Sequence, residues 1–88
     1  MRNNISEVQV VPVKPQNGLV GLASVVFNNS LYLGSLGIYT RPAGGYRLTY
    51  PTKKLSKTNV FHPIDKETGE QIEHAVIAKF EQICSAQN

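Results

Sequence analysis

The run ISEVQVVPVKPQNGLVGLASVVF, residues 5–27, is two apolar stretches joined by Asn17-Gly18. In its first part Ile5, Val8 and Val10 stand among Ser6, Glu7 and Gln9, and the density of β-branched residues predicts a strand over 5–13. Pro12 marks a sheet edge or a strand end, because it has no amide to give to a ladder. Asn and Gly both tolerate the positive φ of a tight turn, so Asn17-Gly18 predicts a hairpin. Residues 19–27 are then the second, antiparallel strand.

The pattern continues outward. Asn28-Asn29 predicts another turn, and residues 30–40 a third strand that is apolar on both faces. Strict alternation would send Leu31, Leu33 and Ser35 one way and Tyr32, Gly34 and Leu36 the other. Gly34 and Gly37 mark a bulge, a bend or a close approach of another backbone. Arg41 to Gly45 reads as a turn. Tyr46, Leu48 and Tyr50 then alternate with Arg47 and Thr49 in a fourth strand that Pro51 ends. A basic loop follows, and residues 60–64 are a candidate fifth strand.

Beyond residue 64 the period changes. Ile72, Val76, Phe80, Ile83 and Cys84 recur at spacings of three and four, the apolar stripe of an amphipathic helix. Two N-caps compete: Thr68 in a capping box with Gln71, and Asp65 one turn earlier. Glu67, Glu70 and Glu73 lie near the positive end of the helix dipole. The expected architecture is α+β: an antiparallel meander of four to five strands followed by one C-terminal helix. It forms a single domain over residues 1–88, with a core at about 5–84. One helix on one sheet leaves apolar surface uncovered, and the doubly apolar third strand points to a sheet-mediated dimer.

Charge is distributed unevenly. Residues 1–64 hold seven Lys or Arg and one acid, Glu7, whereas residues 65–88 hold two lysines and five acids. Arg41, Arg47, Lys53, Lys54 and Lys57 fall within seventeen positions, with no acid between Val8 and Ile64. Such separation suggests an anionic partner for one face. Cations beside the hydroxyls of Thr49, Thr52, Ser56 and Thr58 suit phosphate contact, the charges for affinity and the hydroxyls for position. A charged, solvated loop has the same composition, and spacing alone does not separate the two.

Other function classes find little in the sequence. Gly18-Leu-Val-Gly21 and Gly34-Ser-Leu-Gly37 lie in strands and open no helix, so neither is a phosphate loop. His62 and His74 have no metal-ligand spacing, and no metal or other cofactor is expected. His62, in Phe-His-Pro-Ile, reads as a ring packed at the entry to the helix, and Cys84 as a small core hydrophobe. No enzymatic activity and no small-molecule substrate are expected. The N-terminal MRNNISEV lacks the apolar core of a signal peptide, and no apolar run reaches the ~20 residues that span a bilayer. With its lone cysteine, the chain is expected in the cytoplasm, off the membrane.

The segments ISEVQVVPV, NG, ASVVFNNSLYLGSLGIY, YPTKK, FHPI and IEHAV come in an order and spacing that resemble the stage V sporulation protein G (septation regulator) family. Its members show a V-T-D-V-type first strand, a D-G turn, an M-P-S-K-R box, an H-P-I and an I-x-D-A-V helix. The resemblance covers about residues 5–80 and identifies the chain as a divergent member. It implies a small α+β fold that dimerises through its sheet. It also implies a bacterial cytoplasmic regulator that binds DNA, and in some cases RNA, and affects septation, sporulation and other gene expression. Lys53 and Lys54 would occupy the family's basic pair, with Lys57, Arg47 and Arg41 as neighbours.

The departures from the family are specific. The segment between the basic pair and His62-Pro63-Ile64 is a few residues short and lacks the R-T-P-D-G-E-F-R-D pattern. Gln9 and Val11 stand where members carry arginines, and Gly34-Ser35 where many have His-Asp. The alternative to nucleic-acid binding is a protein-interaction module of cell division or regulation, docking through the sheet edge or the acidic helix.

Overall fold

The computed structural model describes residues 4–53 and 58–86. Four strands, β1 (Ile5–Gln16), β2 (Leu19–Phe27), β3 (Leu31–Thr40) and β4 (Tyr46–Thr49), precede one helix, α1 (Lys66–Ala86). The strands form one antiparallel sheet in the order β1-β2-β3-β4, as expected of a meander. Asn17 and Gly18 take φ of 54° and 90°, and Asn28 and Asn29 take 57° and 56°, so both hairpins turn through left-handed backbone. β1 continues past Pro12 to Gln16, which an edge strand tolerates because a missing amide there need leave no ladder bond unmade.

Cross-strand register sorts the side chains into rows. Val10, Ala23 and Leu36 form one row on the helix side, and Gly21, Ile38 and Leu48 the next. Ile72, Val76 and Phe80 of α1 close over them, and these helix residues with Val10, Ala23, Val25, Leu36 and Ile38 make the buried core. Each large apolar side chain removed from water there contributes about 1.5–3 kcal/mol. Ile83 and Cys84 pack half-buried at its margin, so the thiol serves as a core hydrophobe. The ring of Phe80 meets Tyr46 edge-on, with centroids 5.0 Å apart.

Three expectations are corrected. β3 does not alternate strictly: Leu33 and Leu36 both face the core, with Ser35 between them at φ 61° and the register shifted opposite Ala23 and Val25. A bulge at Gly34-Ser35 therefore restores one apolar face where period two would divide it. Residues 60–64 form no fifth strand; among the described residues the fourth strand is followed by an isolated bridge between Thr52 and Asn59. Pro63 has no amide for a ladder, and Phe61 instead packs edge-on against Tyr50 at 6.0 Å. His62 is exposed rather than packed, with Nδ1 3.0 Å from the Pro63 carbonyl.

Asp65 wins the competition for the helix cap. Its carboxylate accepts a hydrogen bond from the Thr68 amide at 2.8 Å, and Thr68 lies within the first helical turn. That bond, first among the causes, holds the Asp65 carboxyl below its ordinary pKa.

Candidate nucleic-acid interface

The helix covers one face of the sheet and leaves the other open. On the open face the rows read Val11, Leu22, Gly37, Thr49 and, beside it, Leu19, Tyr39, Arg47. Arg47 and Thr49 come here because Tyr46, Leu48 and Tyr50 turn inward to the core. The Arg47 guanidinium lies over the Tyr39 ring, 5.1 Å from its centroid, a cation–π contact that fixes a long side chain on the surface. Thr49 donates from Oγ1 to the Gly37 carbonyl over 3.4 Å.

Gly37 has no room for a side chain. A Cβ there would lie 2.6 Å from Thr49 Oγ1 and 3.0 Å from the Tyr39 ring. Around this close contact lies an open hollow of about 440 Å³, lined by Leu19, Leu22, Tyr39, Arg47, Thr49 and Thr52 among others. No acid lines it, and the one acid in the four strands, Glu7, stands in the row of Val26 and Tyr32 on the opposite edge strand.

The five basic residues expected at the site divide accordingly. Arg47 is exposed on the open face, and exposed Lys53 follows Thr52, whose side of the hollow continues from β4. The start of the basic loop is tied by backbone bonds from Lys53 N to Thr58 O at 2.8 Å and from Val60 N to Pro51 O at 2.7 Å. Lys54 and Lys57 lie outside the described residues. Arg41 is drawn away: from the β3–β4 turn its guanidinium reaches Glu73 of α1 at 3.7 Å, on the helix side. The structure thus brings Arg47 near the start of the loop and leaves Arg41 apart from them.

Tyr39 was absent from the residues expected at this site. The signal for it was Gly37, whose bare backbone inside a strand implies a close neighbour; which neighbour depends on the register that sets Tyr39 opposite Arg47. No group of His, Cys, Asp and Glu among the described residues could hold a metal ion. Among the described residues no helix is long and apolar enough to cross a membrane.

Comparison with known proteins matches the SpoVG family over residues 3–82. A septation protein SpoVG of Treponema denticola is 32% identical over 81 residues, covering 89% of this chain and 86% of its own. One from Aster yellows witches'-broom phytoplasma is 27% identical over 82 residues, covering 90% and 82%. One from Clostridium perfringens is 24% identical over 83 residues, covering 91% of each. With the family pattern spanning nearly all of the sheet and helix, the chain belongs to the SpoVG family.

Proposed function

We propose that this SpoVG-family protein is a non-enzymatic regulator that binds nucleic acid, DNA or RNA, through the β4 side of its open sheet face. The observation that carries this reading is the acid-free line from Arg47 through Thr49 and Thr52 to Lys53, two cations flanking two hydroxyls along one edge. Lys54 and Lys57 extend the same charge in sequence. The relatives' names place them in septation, and the process regulated here is proposed to be septation or sporulation-type gene expression, in the bacterial cytoplasm.

The active form we propose is a homodimer. Val11 and Tyr32 on the open face are 62% and 71% exposed, and half-buried Val26 lies on the same face, with exposed Glu7 in the row of Val26 and Tyr32. Burying this strip against its two-fold copy removes apolar area from water and doubles the basic edge. Val11→Glu is expected to give a monomer by light scattering; an unchanged dimer mass refutes this interface.

The binding test is a gel shift with Lys53→Glu/Lys54→Glu. Loss of binding with dimer mass unchanged supports the site, and unaltered binding removes it. A log–log salt slope near zero would exclude phosphate contact altogether. The exposed apolar strip also favours a second reading, docking of a division or regulatory protein, which a nuclease-insensitive pull-down abolished by Val11→Glu would support.

A further inference from the structure

The hollow over Gly37 has a composition that bulk phosphate binding does not require. One wall is apolar, from Leu19 and Leu22. Another is the planar Arg47 guanidinium over the Tyr39 ring, and Thr49, whose hydroxyl donates to the Gly37 carbonyl, and Thr52 complete the lining. A flat ring with polar edges and an attached anion matches all of these at once. Its faces meet the leucines and the Arg47 guanidinium backed by Tyr39, its edge meets the hydroxyls, and its phosphate lies toward Arg47 and the start of the basic loop.

In a duplex both faces of a base are already stacked on neighbours and only edges are offered in the grooves. A recess inside a sheet face cannot reach a base face in that state. Unpaired bases can be splayed out and stacked on aromatic and guanidinium planes. An apolar cover, such as the face of a second copy, would desolvate Arg47 without bringing an anion, whereas a nucleotide brings its own phosphate.

We propose that the hollow over Gly37 is a stacking site for an unpaired base, with the Arg47 guanidinium that lies over Tyr39 as its platform, making the protein selective for single-stranded over double-stranded nucleic acid. This rests on the nucleic-acid reading above and narrows its ligand.

The test is fluorescence anisotropy of labelled oligo-dT and of a dA·dT duplex of the same length, with wild type, Tyr39→Leu and Tyr39→Phe. Wild type is expected to bind the single strand more tightly. Tyr39→Leu should weaken single-strand binding by about tenfold while changing duplex binding little. Tyr39→Phe, which keeps the ring, should behave as wild type. A strand carrying one fluorescent adenine analogue gives a variant-independent reading: stacking lowers its emission when wild type binds. Equal affinity for both probes, no change in Tyr39→Leu, or no loss of emission overturns the proposal while leaving phosphate binding in place. If neither probe binds, the wider reading falls with it. If Tyr39→Leu lowers the dimer mass at unchanged single-strand affinity, a second copy occupies the hollow and the proposal is overturned.

Discussion

Gly21 faces the ring of Phe80 across the sheet–helix interface, so closely that a Cβ on Gly21 would lie 3.1 Å from the ring and 3.2 Å from Cδ1 of Ile38. Neither neighbour yields readily: Phe80 is pinned by Tyr46 and Ile38 is fully buried. Overpacking a filled core typically destabilises by about 1–3 kcal/mol. Removing glycine's unfolded-state freedom returns about 0.4–1 kcal/mol. Gly21→Ala is therefore expected to lose about 1 kcal/mol net, read as a lower urea midpoint at unchanged slope. Phe80→Leu destabilises wild type by opening a cavity, but in the Gly21→Ala background its effect should shrink.

The Asp65 cap makes part of the helix's anchorage depend on pH. Its carboxyl is held below the ordinary range chiefly by the Thr68 amide, so the folded state favours the ionised form. The stabilisation is present above the unfolded carboxyl's pKa and is lost as pH falls through the lower, folded value. Thermal melts should show Asp65→Ala below wild type at neutral pH, with the gap narrowing in acid. A gap that stays constant through the acid range would rule out the charged cap.

How far the residues foretell this arrangement depends on whether a feature is local. The Asn17-Gly18 hairpin and the Ile72, Val76, Phe80 stripe follow from turn chemistry and periodicity, and both are where the sequence indicates. The inward direction of Leu33 and Leu36 does not follow, because it rests on a bulge with Ser35 at positive φ, and one inserted residue reverses parity. Arg47 and Thr49 are legible as a pair because they alternate on one short strand. Tyr39 is not, since only cross-strand register sets it opposite Arg47. The diversion of Arg41 to Glu73 depends on where the helix crosses the sheet, and nothing near Arg41 in the chain announces it.

Tyr50 gives the alkaline limb of stability. Burial pushes its phenol above the ordinary 10.0, and the Glu73 carboxylate pushes the same way. A folded pKa above the unfolded one means the contribution is complete below the unfolded value and is lost as pH rises through the folded one. Wild type is expected to lose stability as pH rises past the ordinary phenol value, and Tyr50→Phe should lose less over the same interval. Glu73→Gln should lower the Tyr50 titration midpoint, read from phenolate absorbance as the difference between that variant and its Tyr50→Phe double. A midpoint unmoved by Glu73→Gln would mean that burial acts alone.

Glu73 also holds Arg41, and this pair offers a sharper test of where the basic surface ends. Both partners are substantially exposed, so the ion pair is worth only about 0.2–1 kcal/mol, and Glu73→Gln should leave the protein nearly as stable as before. Its effect on binding should be larger than its effect on folding. With the carboxylate gone, Arg41 is free to swing from the helix side toward an anion held along Arg47 and Lys53. The expected result is tighter oligonucleotide binding and a salt slope steeper by about one counterion. Arg41→Ala alone should change little, because the guanidinium is already engaged; in the Glu73→Gln background it should abolish the gain. That non-additivity is the measurement that matters, since it separates recruitment of Arg41 from a general loss of negative charge. If Arg41→Ala and Glu73→Gln instead add independently, Arg41 lies outside the nucleic-acid surface, and the interface ends at the β4 edge.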